Sequence, residues 1–193
     1  QVSKVLNIEK TKILYNSKWL NDVKFSKIIS LCSKFTVSQF LERDDFNKRY
    51  NEGKPISLHE FMYPLAQAYD SVYLRSDVEI GGTDQKFNLL LARDLQKSFN
   101  MKQQVAITLP ILEGTDGVNK MSKSYDNYIA FNDTPNDMYG KVLSINDNLI
   151  LKYFALIVNL TTKEIKDLEF MLKSEKISYR DLKRKLARDI VSI

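Results

Sequence analysis

The sequence holds one cysteine, Cys32, one histidine, His59, and one tryptophan, Trp19. A lone cysteine excludes an internal disulfide, and with His59 as its only companion it excludes a His/Cys zinc cluster. A single thiol suits a reducing compartment, so a cytoplasmic location is expected. No run of about 18 apolar residues occurs, so no membrane-spanning helix is expected. The stretch from Gln1 to Lys12 mixes charged with apolar residues and lacks the form of a secretory signal. Internal repeats and low-complexity tracts are absent as well.

What is present is an ordinary globular composition. Of 193 residues, 44% are hydrophobic, enough for one core or two small ones. The formal charge is +5, with a pI near 9.1. That balance is compatible with a nucleic-acid partner, and equally with a Lys- and Asn-rich surface that has none.

Along the chain, Val2 to Leu20 reads as a short strand region closed by a turn at Asn16-Ser17-Lys18. A basic, mostly helical stretch follows from Val23 to Asn51, broken by Gly53-Lys54-Pro55. Ser57 three residues before Glu60 has the capping-box form, so a helix should start there, and Pro64 should kink or restart it. Val72 to Ile80 is strand-like at its ends and closes on Gly81-Gly82. Phe87, Leu90, Leu91, Leu95 and Phe99 recur at helical steps, with Thr83 or Asp84 as candidate cap. Val105 to Leu112 reads as a buried strand, Glu113 to Asn127 as a loop, and Tyr128 to Phe131 as a short strand. After Pro135 the pattern is helical: about Asn136 to Leu143, Asp147 to Val158, a capping box at Thr161/Glu164, and a last helix from Tyr179 capped by Ser178. Strands alternating with helices and then helices alone predict an α/β domain over 1–134 and an all-helical domain over 135–193.

Three constellations carry chemistry. Tyr63, Gln67 and Asp70 are spaced by four and three, so a phenol, an amide and a carboxylate share one helix face. They could hold a small zwitterion, or be a solvated polar face. Glu79-Ile80-Gly81-Gly82-Thr83-Asp84-Gln85 places two glycines between a strand end and a helix start, where open α/β sheets bind nucleotides. Asp84 could accept from ribose hydroxyls; the plainer alternative is a tight turn with a capping aspartate. Lys120-Met121-Ser122-Lys123-Ser124 puts two ammonium groups three residues apart in a Gly- and Ser-containing loop. That arrangement suits a polyphosphate, where any two loop lysines would otherwise be solvated surface.

The Lys120–Ser124 string resembles the second signature of class I aminoacyl-tRNA synthetases. With Tyr63-Pro-Leu-Ala-Gln67-Ala-Tyr-Asp70, Gly81-Gly82-Thr83-Asp84-Gln85, Asp116-Gly117 through Asn127, and Asn16 three residues before Trp19, the sequence is similar to the bacterial tyrosyl-tRNA synthetases over nearly its whole length. Tryptophanyl-tRNA synthetases share the lysine loop but usually carry Gly-Glu-Asp-Gln where this chain has Gly82-Thr83-Asp84-Gln85, and tend to lack a glutamine at the place of Gln67. The resemblance implies a Rossmann-like parallel-sheet nucleotide fold, of which this is the second half, and an incomplete helical anticodon-side domain. It implies ATP-dependent ligation of tyrosine to tRNA(Tyr), with ATP as substrate alongside Mg²⁺ and no tightly bound cofactor. Tyr63 and Gln67 then correspond to the ammonium contacts and Asp70 to the partner of the tyrosine hydroxyl. Gln85 corresponds to a contact of the amino-acid carboxyl end and Asn16 to a residue near the substrates. Gly82 and Asp84 correspond to ribose contacts. Lys120, Met121, Ser122 and Lys123 correspond to the ATP loop, the two lysines acting in catalysis. The role of Glu79, where many relatives have glutamine, stays open.

The first class I signature, His-x-Gly-His, is absent from these residues, as is a C-terminal RNA-binding module. A fragment, inactive by itself, is therefore expected. The resemblance also implies a homodimer through about Asp22 to Phe61. Two other readings stand beside it: a relative of tryptophanyl-tRNA synthetase, and a non-catalytic RNA-binding or regulatory paralogue.

Overall fold

The computed structural model describes residues 2–193, and its contacts divide the chain into two compact units. The first spans Ile13–Pro110. Four short helices open it: α1 (Ser17–Leu20), α2 (Phe25–Cys32), α3 (Val37–Phe40) and α4 (Asp44–Asn51). They lead to the long helix α5 (Leu58–Leu74). Glu60 starts α5 as expected, its carboxylate accepting from the Ser57 backbone N–H at 2.9 Å. The same carboxylate takes a two-pronged contact from Arg49, at 2.5 and 2.9 Å, which ties α4 to the first turn of α5. Arg49 and the Ser57 amide hold the Glu60 carboxyl down at about 2.

Strand β1 (Val78–Gly82), helix α6 (Lys86–Ser98) and strand β2 (Val105–Leu109) form a parallel β-α-β unit in which Val78 pairs with Val105 and Gly82 with Leu109. Helix α6 packs on both strands and along α5. The core of this unit joins Leu65, Ala68 and Val72 of α5 to Leu91, Ala92 and Leu95 of α6, with Leu31, Phe40 and Phe46 closing it from the short helices. Ala68 and Ala92 are fully buried, and their small side chains let two helix backbones approach closely.

The second unit is built from residues 2–12 and 111–193. It contains α7 (Pro135–Ser144), α8 (Ile150–Leu156), α9 (Thr162–Lys173) and α10 (Tyr179–Val191). Each start is set locally. Pro135 occupies the first turn of α7 behind the Thr134 cap, Thr161 and Glu164 exchange capping bonds at 2.8 and 3.3 Å, and Ser178 caps α10. Val142, Ile145, Ile150, Tyr153, Phe154, Leu182 and Leu186 form the core. Leu112, Met121 and Ile129, from the segment before Pro135, pack against it. Residues 111–134, assigned from sequence to the first domain, thus share a unit with the helices that follow.

Several local expectations need correction. Residues 2–20 contain no strand: Val2–Lys4 and Ile8–Lys10 are single 3-10 turns, and Asn16 leads into α1. Tyr128 to Phe131 forms no strand: Ile129 packs on the helical core and Phe131 begins a turn. Pro64 lies inside α5 without interrupting it. Neither Thr83 nor Asp84 caps α6: a 3-10 turn, Thr83–Gln85, intervenes and Gln85 becomes the cap position. Strand β2 is not a buried strand, because α6 covers one face only; Val105, Ile107 and Leu109 are exposed on the other.

Candidate functional site

Within the first unit, α5, the start of α1 and the β1–α6 turn carry the proposed small-molecule residues. Asp70 is half-buried and serves two donors. Trp19 Nε1 donates to Oδ1 at 2.8 Å, and Asn16 Nδ2 donates to Oδ2 at 3.2 Å. Trp19 is itself buried and stacks on Tyr73 with ring centroids 4.5 Å apart. The carboxylate of Asp70 is thereby fixed in direction by an indole that cannot turn freely. In the sequence Trp19 stands out only as the neighbour of Asn16; its contact with Asp70 spans 51 residues and has no local signature.

Gln67, one turn before Asp70, accepts from Asn88 Nδ2 at 2.9 Å, and the same nitrogen donates to Gln85 Oε1 at 3.1 Å. Gln85 Nε2 lies 3.4 Å from Asp84 Oδ2. The structure therefore connects Gln67, Gln85 and Asp84 through Asn88, a residue the sequence reading treated as part of a helix. Tyr63, on the same face two turns before Asp70, is 69% exposed. Gly82 ends β1, and Gly81 sits where an added Cβ would come within 3.1 Å of the Gln85 Cβ, so the turn is tight against its own following residue. Glu79 has a clear position: its Oε2 accepts from Ser71 Oγ at 2.6 Å and from Gln104 Nε2 at 2.5 Å. It joins the end of α5 to the entry of β2.

In the second unit, the lysine string sits on a loop closed by an antiparallel bridge between Glu113 and Lys120. Asn127, 2% exposed, is the hub of that loop. Its Nδ2 faces Asp116 Oδ2, the Asn119 carbonyl and the Lys120 carbonyl at 3.0, 3.3 and 3.2 Å. Its Oδ1 accepts from the Ser122 amide at 2.8 Å. Asp116 in turn accepts from the Val118 and Asn119 amides at 3.1 Å and from Asn119 Nδ2 at 3.0 Å. These donors, Asn119 foremost, bring the Asp116 carboxyl down to about 2. Met121 packs its side chain toward the helical core, while Ser122 caps the 3-10 turn Lys123–Tyr125. Lys120 and Lys123 are exposed on this hydrogen-bonded loop.

Behind the loop, the Lys152 ammonium of α8 donates to both carboxylate oxygens of Glu113, at 2.8 and 2.6 Å. That contact lowers the Glu113 pKa. Tyr153, wholly buried, donates its hydroxyl to the Glu113 carbonyl at 2.7 Å, and burial pushes its own pKa up to about 12. The loop is thus fastened at its start to α8 and at its end to Asn127. Among the described residues no group of three or more His, Cys, Asp and Glu could hold a metal ion, and no helix is long and apolar enough to cross a membrane.

The model of class I tRNA synthetases of the tryptophan and tyrosine type matches residues 1–192. The chain belongs to that family. A tyrosine–tRNA ligase of Carboxydothermus hydrogenoformans is 51% identical over 192 residues, covering 100% of this chain and 47% of its own length. One of Thermotoga maritima is 52% identical over 190 residues, covering 98% and 47%. Among solved structures, tyrosyl-tRNA synthetase of Aeropyrum pernix matches with a TM-score of 0.71 at 21% identity, over 91% of this chain and 58% of that one. The enzyme of Archaeoglobus fulgidus, complexed with L-tyrosine, gives 0.68 at 22% identity over 94% and 66%. At that identity the structural matches support the fold alone, and they support a class I synthetase fold. The chain spans about half the length of the curated relatives it matches.

Proposed function

We propose that this chain is part of a tyrosine–tRNA ligase. The observation that carries the proposal is the 51% identity to a curated tyrosine–tRNA ligase along the whole chain. In the first half-reaction, a carboxylate oxygen of tyrosine attacks the α-phosphorus of ATP. The bond to the β-phosphate oxygen breaks, and pyrophosphate leaves with tyrosyl-adenylate formed. In the second, a terminal ribose hydroxyl of tRNA(Tyr) attacks the tyrosyl carbonyl and AMP departs. No covalent enzyme intermediate is involved, so the protein acts by positioning and by stabilising charge.

The roles are those that the resemblance to the family assigns to each residue. Asp70, aimed by Trp19 and Asn16, accepts from the substrate phenol. A buried partner for that hydroxyl penalises phenylalanine, for which tyrosyl-tRNA synthetases are a known example. Tyr63 and Gln67 face the ammonium, and Gln85 offers its amide N–H to the carboxyl end. Gly82 and Asp84 take the ribose. Lys120 and Lys123, with Met121 and Ser122 shaping their loop, neutralise the phosphate charge that develops as pyrophosphate leaves. Magnesium enters with the nucleotide, through phosphates and water. The protein is a homodimer in the cytoplasm.

The test is tyrosine-dependent ATP–pyrophosphate exchange by a full-length enzyme carrying this sequence. Replacing Asp70 with Ala should cost tyrosine activation about 2–4 kcal/mol in kcat/KM, as for removing a partner of a buried polar group. Unaltered preference for tyrosine over phenylalanine in Asp70→Ala, or a wild-type enzyme that activates tryptophan better than tyrosine, would overturn the proposal.

A further inference from the structure

Asn88 stands in the first turn of α6 at 3% exposure. Asparagine is a poor helix former, and a buried carboxamide is costly unless paired. Here it is paired on one side only. Nδ2 donates to Gln67 Oε1 at 2.9 Å and to Gln85 Oε1 at 3.1 Å, whereas the buried Oδ1 has no hydrogen-bond partner. A leucine at this place would favour the helix and cost no desolvation, so packing does not account for the residue.

The geometry restricts two other side chains. An amide nitrogen carries two N–H groups and accepts nothing. Because one nitrogen serves both glutamines, each turns its oxygen toward Asn88; the second lone pair of Gln67 Oε1 is then left for the ammonium, while Gln85 directs its NH2 end away from Asn88. Gln85 shows this directly, its Nε2 reaching Asp84 Oδ2 at 3.4 Å. If Asn88 presented Oδ1 instead, both glutamines would have to reverse together, and Gln85 would aim a carbonyl oxygen at any carboxylate-bearing ligand.

We propose that Asn88 is a positioning residue: it locks the amide orientations of Gln67 on α5 and Gln85 on the β1–α6 turn as a pair, so that Gln85 presents N–H donors to the substrate carboxylate. This rests on the assignment of the two glutamines to the tyrosine site. Asn88 does not touch substrate; it acts through its two partners.

The experiment uses a full-length enzyme carrying this sequence and steady-state tyrosine-dependent pyrophosphate exchange, with tyrosine and ATP titrated separately. Asn88→Asp replaces the shared donor with an acceptor and should raise KM for tyrosine at least about tenfold, with KM for ATP and kcat changed less than about threefold. Asn88→Ala, which favours the helix and removes the orphaned oxygen, should raise KM for tyrosine by a smaller factor, about fivefold, and keeps the test readable if the aspartate variant does not fold. Tyrosine KM within about twofold of wild type in the folded variants overturns the proposal. So does an equal rise in both KM values, which would mark a merely structural residue. Gln67→Ala and Gln85→Ala separate the two layers of the argument. If they raise KM for tyrosine while the Asn88 variants do not, only the positioning role falls. If neither raises it, the assignment of the glutamines falls, and the role of Asn88 with it.

Discussion

Replacing Asn127 with alanine should open the lysine loop without unfolding the unit that carries it. The carboxamide faces four partners: three acceptors on its nitrogen and the Ser122 amide on its oxygen. Two N–H groups cannot serve three acceptors at full strength, so three bonds' worth is the realistic total. The one to the Asp116 carboxylate is charge-assisted but open to solvent, and each neutral one contributes about 0.5–1.5 kcal/mol. Water reaches the exposed loop once it opens and recovers part of this, leaving a net loss of about 2–3 kcal/mol. Each 1.4 kcal/mol is a factor of ten, so opening at Ser122 should become about thirty to one hundred and forty times more frequent. Hydrogen exchange at the Ser122 and Met121 amides reads it, against the core amides of α8 and α10 as internal reference. Asn127→Asp should be worse than Asn127→Ala at neutral pH, because it sets a second carboxylate against Asp116, and should recover as that group protonates in acid. Unchanged exchange at Ser122 in the alanine variant, or an aspartate variant tighter than the alanine one, would refute the hub.

Asp116 ionises near 2 in the folded loop against an ordinary 3.8, so its contribution is complete above about pH 4 and is lost as pH falls through about 2. The Val118 and Asn119 amide shifts followed by NMR should titrate near 2, and a midpoint near 3.8 would contradict the contacts. In a full-length enzyme, Lys123→Ala should slow single-turnover adenylate formation at least about tenfold, roughly 1.4 kcal/mol of barrier, with tyrosine affinity little changed. An unchanged rate constant would return the loop to solvated surface.

The parts of this molecule that could be read in advance are those decided within one helical turn. The capping residues at Ser57/Glu60, Thr161/Glu164 and Ser178 act over three residues, and the stripe from Phe87 to Leu95 reports a single helix. What could not be read depends on partners far along the chain. Trp19 meets Asp70 across 51 residues and Asn88 meets Gln67 across 21, and nothing in either string announces the other. Asn127 lay inside a motif whose resemblance was plain, yet an asparagine amid Gly, Asp and Ser looks like any turn former until the loop is closed around it. Its neighbour Gly114 shows how closely: an added Cβ there would fall 2.2 Å from the Asn127 Cγ. The false strand at Tyr128 to Phe131 failed for a related reason, since a short apolar run marks a covered segment without saying whether a sheet or a helix bundle covers it.

The parallel pair β1 and β2 turns Val78, Ile80, Val105, Ile107 and Leu109 toward solvent in register, one apolar row with helix α6 on the opposite side. Parallel sheets are ordinarily sandwiched, so this row works as a gauge of coverage. In the chain alone, Ile107→Ser alters a side chain already wetted, and the unfolding free energy should move by about 1 kcal/mol or less. In any longer protein or assembly that lays a second layer across the row, the identical substitution forfeits the burial of an isoleucine, about 1.5–3 kcal/mol. The gap between the two unfolding measurements tells whether the row is dry, and it does so without the covering layer ever being seen.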